Sequence, residues 1–293
     1  MTPFISKYRP VADAHPQSPL HRAPSFVWKR FEDGFELRIS LFAPPGHAAY
    51  AMTPAVVFFN GGMWALEYRR EFASWATHLA SRGIVCLIPE YRNYARFEVS
   101  PDEIVQEGIE LWNWVYNNAD GLGIDPRRVT LAGADAGGLM ALNAAMQPIV
   151  KKRRWWRWGS RDELPLSPAC VAIFRGVVDA EAPEARMLRI VEQAAVPAQV
   201  NPCALLRKNL PPLFCAHGML DPLLDCEMRE WFCEEWRRLG NKAEGVFLPQ
   251  VDHTLTHFDM NPVAFEQILL EWEIFMVQLG LWPEETVEER SLL

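Results

Sequence analysis

Hydrophobic and polar positions along the chain follow two rhythms. Short β-branched runs recur at Ala55 to Phe59, Ile84 to Pro89, Val129 to Gly133, Ala169 to Gly176, Leu213 to His217 and Gly245 to Leu248, and they alternate with longer helical patterns. That alternation predicts βαβ units: an α/β fold with a mainly parallel, twisted sheet and helices on both faces. Ahead of these runs, Phe26 to Phe31 and Phe35 to Phe42 flank Glu32, Asp33 and Gly34, a short turn that predicts a hairpin at the start of the sheet. Helix boundaries are marked as well. Ser100, Pro101 and Glu103 supply an N-cap, a first-turn proline and a capping-box glutamate for a helix reaching about Asn118. Gly83 and Gly240 are placed to end helices over Leu66 to Arg82 and Cys226 to Leu239. Asn261 and Pro262 open a last helix to Leu279, with Val263, Ile268, Leu269, Trp272, Phe275 and Met276 near 3.6-residue spacing.

Composition narrows the class without changing this picture. Apolar residues make up 49% and charged residues 23%, the proportions of a folded globular chain rather than a disordered or fibrous one. No internal repeat is found, so a single domain over 26–280 is expected, between a lead-in over 1–25 and a tail over 281–293. The longest apolar runs are too short to span a bilayer, so no membrane span is expected. Met1 to Pro19 carries no apolar signal-like region, and a cytoplasmic location is the expectation. The net charge of -8 speaks against a nucleic-acid surface, which needs clustered Lys and Arg. Six cysteines show neither a CxxC pair nor a metal-ligand spacing. They are expected as free core thiols, and neither a metal nor a cofactor is expected. A small-molecule substrate is the expected partner; oligomeric state is left open. The segment Lys151 to Trp158, within 150–165, breaks the pattern with five basic residues and three Trp among eight. It reads as a solvated loop whose Trp pack on the body, or as a lid or anion contact.

The chemistry concentrates at strand ends. Gly133-Ala134-Asp135-Ala136-Gly137-Gly138 directly follows one strand and directly precedes an Ala-rich helix, the context in which a tight turn lifts one side chain above a sheet. Upstream, Asn60-Gly61-Gly62-Met63-Trp64 ends another strand in a Gly-Gly turn, whose bare N–H groups can face a developing oxyanion. Downstream, Asp221-Pro222 follows the strand ending in His217-Gly218, and Asp252-His253 follows the last strand. The order nucleophile, acid, histidine results, with His217 expected to support a strand end and Asp252 to serve a turn.

With these motifs in view, the chain resembles the carboxylesterase-type α/β-hydrolases, near the hormone-sensitive-lipase-like, acetyl-esterase-like and kynurenine-formamidase-like enzymes, from about Phe26 to Leu279. Asn60 to Trp64 is similar to their His-Gly-Gly-x-Trp, Glu90-Tyr91-Arg92 to Asp-Tyr-Arg, and Gly133 to Gly138 to Gly-x-Ser-Ala-Gly-Gly. The resemblance implies a hydrolase with Asp135, Asp221 and His253 as the catalytic residues. Gly62, Met63 and Ala136 would be backbone donors of an oxyanion hole. Asn60 stands where His is usual. Asp135 stands where Ser is usual, and a carboxylate attacking a carbonyl yields a high-energy mixed anhydride. Displacement at an sp³ carbon suits a carboxylate better. A lyase, isomerase or cyclase moving protons with Asp135 and His253, and a ligand-binding pseudoenzyme, are the competing readings.

Overall fold

The computed structural model describes residues 19–62, 68–147, 167–182 and 200–284. Among them, eight strands form one sheet: β1 (Ser25–Arg30), β2 (Glu36–Phe42), β3 (Thr53–Phe59), β4 (Val85–Pro89), β5 (Ile124–Ala134), β6 (Cys170–Gly176), β7 (Leu213–Gly218) and β8 (Ala243–Leu248). Their spatial order is β1-β2-β4-β3-β5-β6-β7-β8. β1 and β2 are the expected antiparallel hairpin, turned by Gly34 at φ 85. β2 is antiparallel to β4, and every later pairing is parallel. All seven residues of β6 and all six of β7 are buried, as expected of central parallel strands covered on both faces.

Among the described residues, five longer helices cover the sheet: α1 (Ala73–Ser81), α2 (Pro101–Asn117), α3 (Asp135–Met146), α4 (Cys226–Arg238) and α5 (Pro262–Gln278). On one face α2, α3 and α4 pack Trp112, Met140, Phe232 and Trp236 against Val57, Leu87, Leu131 and Ile173. On the other, α1 and α5 bring Trp75 and Trp272 onto Phe58, Phe174 and Phe214. Trp272 is the hub of that layer, with ring centroids 5.3 Å from Phe174 and 4.9 Å from Trp282. Trp282, in the stretch expected as a tail, is 3% exposed.

One boundary and one burial differ from the sequence reading. The helix expected over Leu66 to Arg82 is a 3₁₀ turn over Arg69–Phe72 followed by α1, while 63–67 lie outside the described residues. Cys203 and Cys226 are only half-buried, because they sit at a loop turn and a helix start rather than in the core; the other four cysteines are buried, and all six are free. Lys151 to Trp158 falls outside the described residues. Among those that are described, no helix is long and apolar enough to cross a membrane, and no group of acidic, Cys and His residues could hold a metal.

The fold positions its chemistry through close backbone approach. A Cβ on Gly137 would collide with the carbonyl oxygens of Phe59 and Asn60, so the glycine lets the first turn of α3 sit directly on the end of β3. That contact brings the Gly61-Gly62 turn alongside the first residue of α3.

Candidate functional site

Asp135 is the residue at that junction. Its backbone is left-handed, φ 48, between the last residue of β5 and the body of α3. A non-glycine residue in this region is uncommon and carries strain, which here turns the side chain out of the strand direction and over the sheet. The junction is held from β6: Asp135 and Gly176 form a bridge, and the Val177 N–H donates to the Asp135 carbonyl at 3.1 Å. Asp135 is 4% exposed.

Two loops meet it. The loop after β8 carries His253, whose Nε2 lies 3.1 Å from Asp135 Oδ1. The loop after β7 carries Asp221, whose Oδ2 accepts from His253 Nδ1 at 2.7 Å. Asp221 is itself held by the backbone N–H groups of Leu223 and Leu224 on its Oδ1. His253 is therefore hydrogen-bonded to Asp221 and within ion-pair distance of Asp135, so the three residues read from the sequence lie in one line. From the β3 turn, the Gly62 N–H points to Asp135 Oδ2 at 3.4 Å, and a Cβ on Gly61 would collide with that same oxygen. Ala136 is buried on the first turn of α3, and among the described residues its N–H makes no bond to the carboxylate. Met63 and Trp64 lie outside the described residues. Asn60 donates to Tyr91 Oη at 3.3 Å, and Tyr91 donates back to the Asn60 carbonyl at 2.6 Å, so Asn60 braces the turn.

Residues 56–257 match the family model of the alpha/beta hydrolase fold. The chain belongs to that family. An isoprenylcysteine alpha-carbonyl methylesterase of Arabidopsis thaliana is 26% identical over 243 residues, which are 74% of this chain and 53% of that protein. A probable carboxylic ester hydrolase, LipM, of Mycobacterium tuberculosis is 25% identical over 74% of this chain and 54% of its own length. This hydrolase-fold chain thus spans about half the length of the curated relatives it matches. Among solved structures, a thermophilic esterase from Thermogutta terrifontis with propionate bound superposes with a TM-score of 0.77 at 24% identity, covering 92% of this chain and 98% of that one.

Charges dominate the site. Burial alone would raise the Asp135 carboxyl, but the Arg175 guanidinium first, then His253 and the Gly62 N–H, bring it down to about 2. Burial likewise opposes a charged imidazole at His253, yet Asp135 and Asp221 outweigh it and lift His253 to about 9. Asp221 stays below the usual carboxylate range despite burial, because His253 and the Leu223 N–H favour its anion. His217, fully buried, faces the Leu224 carbonyl at 2.9 Å, and burial pushes it down to about 4. It supports the strand end, as expected. Asp252 accepts from the Thr254 N–H and hydroxyl at 2.9 and 2.6 Å, a turn role.

Four participants escaped the sequence reading. Arg175, at the end of β6, places Nε 3.1 Å from Asp135 Oδ1 and 3.0 Å from His253 Nε2. Its terminal nitrogens donate to Thr256 Oγ1 and to Glu71 Oε1. Glu71 also accepts from the Gly61 N–H at 3.0 Å, and His257 Nε2 lies 3.8 Å from it. The one sequence signal was a cation at the end of a seven-residue strand of otherwise uncharged residues, Cys-Val-Ala-Ile-Phe-Arg-Gly. A cavity of about 510 Å³ borders this network, lined by Tyr68, Arg70, Glu71, Ser74, His257 and Met260 among others.

Proposed function

We propose that the protein hydrolyses a small organic substrate through an ester formed on Asp135, with His253 as acid and base and Asp221 orienting it. The observation that carries this reading is the placement of Asp135 Oδ2 against the Gly62 N–H. In a serine esterase route the substrate's own carbonyl oxygen must occupy the oxyanion hole. Here the carboxylate's oxygen stands at that donor. The arrangement suits attack by Oδ1 on an sp³ carbon, followed by attack of water on Asp135 Cγ, when negative charge gathers on Oδ2 beside the donor. His253, charged at neutral pH, suits protonation of an oxygen leaving group. Carboxylic esters, the substrates in the relatives' names, and epoxides are the compounds to test first. Gly62, Met63 and Ala136 are the proposed backbone donors.

A single turnover in heavy-oxygen water tests the route. Water attacking Cγ leaves one heavy oxygen in the peptide bearing Asp135, and the product takes its new oxygen from the enzyme. Heavy oxygen found only in the product would overturn the covalent route. The clasp of Arg175 and His253 on Asp135 favours one second reading, ligand binding without turnover, which predicts a saturable complex and no label in either place.

A further inference from the structure

Arg175, the penultimate residue of β6, has left-handed backbone, φ 45, and is 2% exposed. An arginine held in that conformation has been turned away from the strand path and towards the α3 junction. Each part of its fork is committed: one terminal nitrogen to Thr256, the other to Glu71, and Nε–H to the space between His253 and Asp135. Burial demands partners for all of its N–H groups, and Thr256 and Glu71 leave Nε–H unsatisfied. That Nε–H points at His253 Nε2, and Asp135 Oδ1 is left, among the described residues, without a well-aligned donor although two nitrogens lie 3.1 Å away. Arg175, Asp135 and His253 therefore form a triangle in which two cations face one anion.

The groups facing His253 come from every neighbouring element. Asp135 faces it from α3, Asp221 from the loop after β7 and Arg175 from β6; His217 on β7 and His257 on the same loop are both held towards their neutral forms by burial. Asp252 is exposed beside it, and Glu71 acts from behind Arg175. Two anions thus oppose one cation while Asp135 is free. Once Asp135 is an ester, one anion opposes one cation.

We propose, on the basis of the Asp135 ester route, that Arg175 is a positioning residue that times the proton on His253. It holds Asp135 ionised before attack, and after attack it keeps the imidazole neutral so that His253 can serve as base. In the first half-reaction an Oδ1 electron pair forms the bond to carbon, the carbon–oxygen bond to the leaving group breaks with its pair on that oxygen, and His253 protonates it. Asp135 and His253 are then both neutral. In the second half, water gives a proton to His253 while its oxygen bonds to Cγ, and the Cγ–Oδ1 bond breaks as His253 returns the proton to the departing alcohol oxygen. The carboxyl so formed passes its own proton to His253, restoring the starting charges. Throughout the ester's lifetime Arg175 prevents the imidazole from recapturing a solvent proton.

Asp135→Asn imitates the neutralised state, so NMR titration of the His253 ring in this background reads the proposal without any turnover. The midpoint is expected to fall by ~1–3 pH units from wild type to Asp135→Asn, the range for loss of an adjacent opposite charge, and to climb again by about one unit or more when Arg175→Gln is added. Removing Arg175 strands buried Glu71, so the same comparison is made with Glu71→Gln also present, which leaves no unpaired charge. His253→Ala assigns the resonance. A midpoint indifferent to Arg175 in both backgrounds overturns the proposal. Failure of the ester route would show separately, as missing label in the Asp135 peptide. In the wild-type background, Arg175→Gln is expected to slow ester breakdown so that the adduct accumulates, with partial rescue by Arg175→Lys.

Discussion

Asp135 and His253 hold each other in their charged forms, and that coupling fixes how the protein responds to pH. His253 is lifted to about 9 from an unfolded value of ~6.5, so its contribution to stability is complete below ~6.5 and is lost as pH rises through about 9. Asp135 is depressed to about 2, so its contribution is complete above ~3.9 and is lost as pH falls through about 2. Denaturation midpoints across pH should therefore show wild type losing more stability than Asp135→Asn between ~6.5 and 9; parallel curves would separate the two residues electrostatically. Gly61→Ala pushes a methyl into Asp135 Oδ2 and displaces it from the Gly62 N–H. Loss of one such donor lowers kcat on the order of 10²-fold, and circular dichroism should find the fold unchanged. Asp135, Asp221 and His253 were legible in the sequence because each follows a strand in a short motif. Arg175 and Glu71 were not, since an isolated charge in a run says nothing of which distant charge it meets, and Glu71 lies 104 residues from its partner.

Helices and strands were legible where a local signal coincided with the tertiary demand. Glu103 accepts the Ser100 N–H at 2.9 Å at the start of α2, and Asn261 accepts the Ala264 N–H at 3.2 Å at the start of α5, as their spacing implied. The broken helix before α1 was not legible: Glu71 turns inward to the Gly61 N–H and to Arg175, a tertiary commitment that residue periodicity does not carry. Asn261→Ala removes the cap of α5 and is expected to cost ~1 kcal/mol in urea unfolding while leaving the slope with denaturant unaltered. Gly137→Ala acts differently. It drives a methyl against the Phe59 and Asn60 carbonyls, separates α3 from β3, and should abolish turnover even in protein that still unfolds cooperatively.

For the whole molecule, the division of labour between the two sheet faces can be tested. The Trp272 layer beneath α1 and α5 lies within the core, and the charged residues sit above the strand ends. Trp272→Ala should thus cost ~3–5 kcal/mol through the cavity it leaves, with the pH dependence of turnover in surviving protein matching wild type. The hairpin at one edge and the parallel run beyond it were legible as a fold class. The strand order was less so, because the loop after β2 skips a place in the sheet and the chain returns from β3 through α1 to set β4 between them.

The five charged residues of the site come from five separate segments, and even the nearest partners, Asp221 and His253, are 32 residues apart in the chain. None of these contacts can form from local structure, and together they require β5, β6, β7 and β8 to be already aligned in parallel, the kind of long-range pairing that makes folding slow. The charge network is therefore an order parameter for the end of folding. In a refolding experiment, backbone signal should recover first, and the perturbed ionisation of His253 should appear only as the last strands dock.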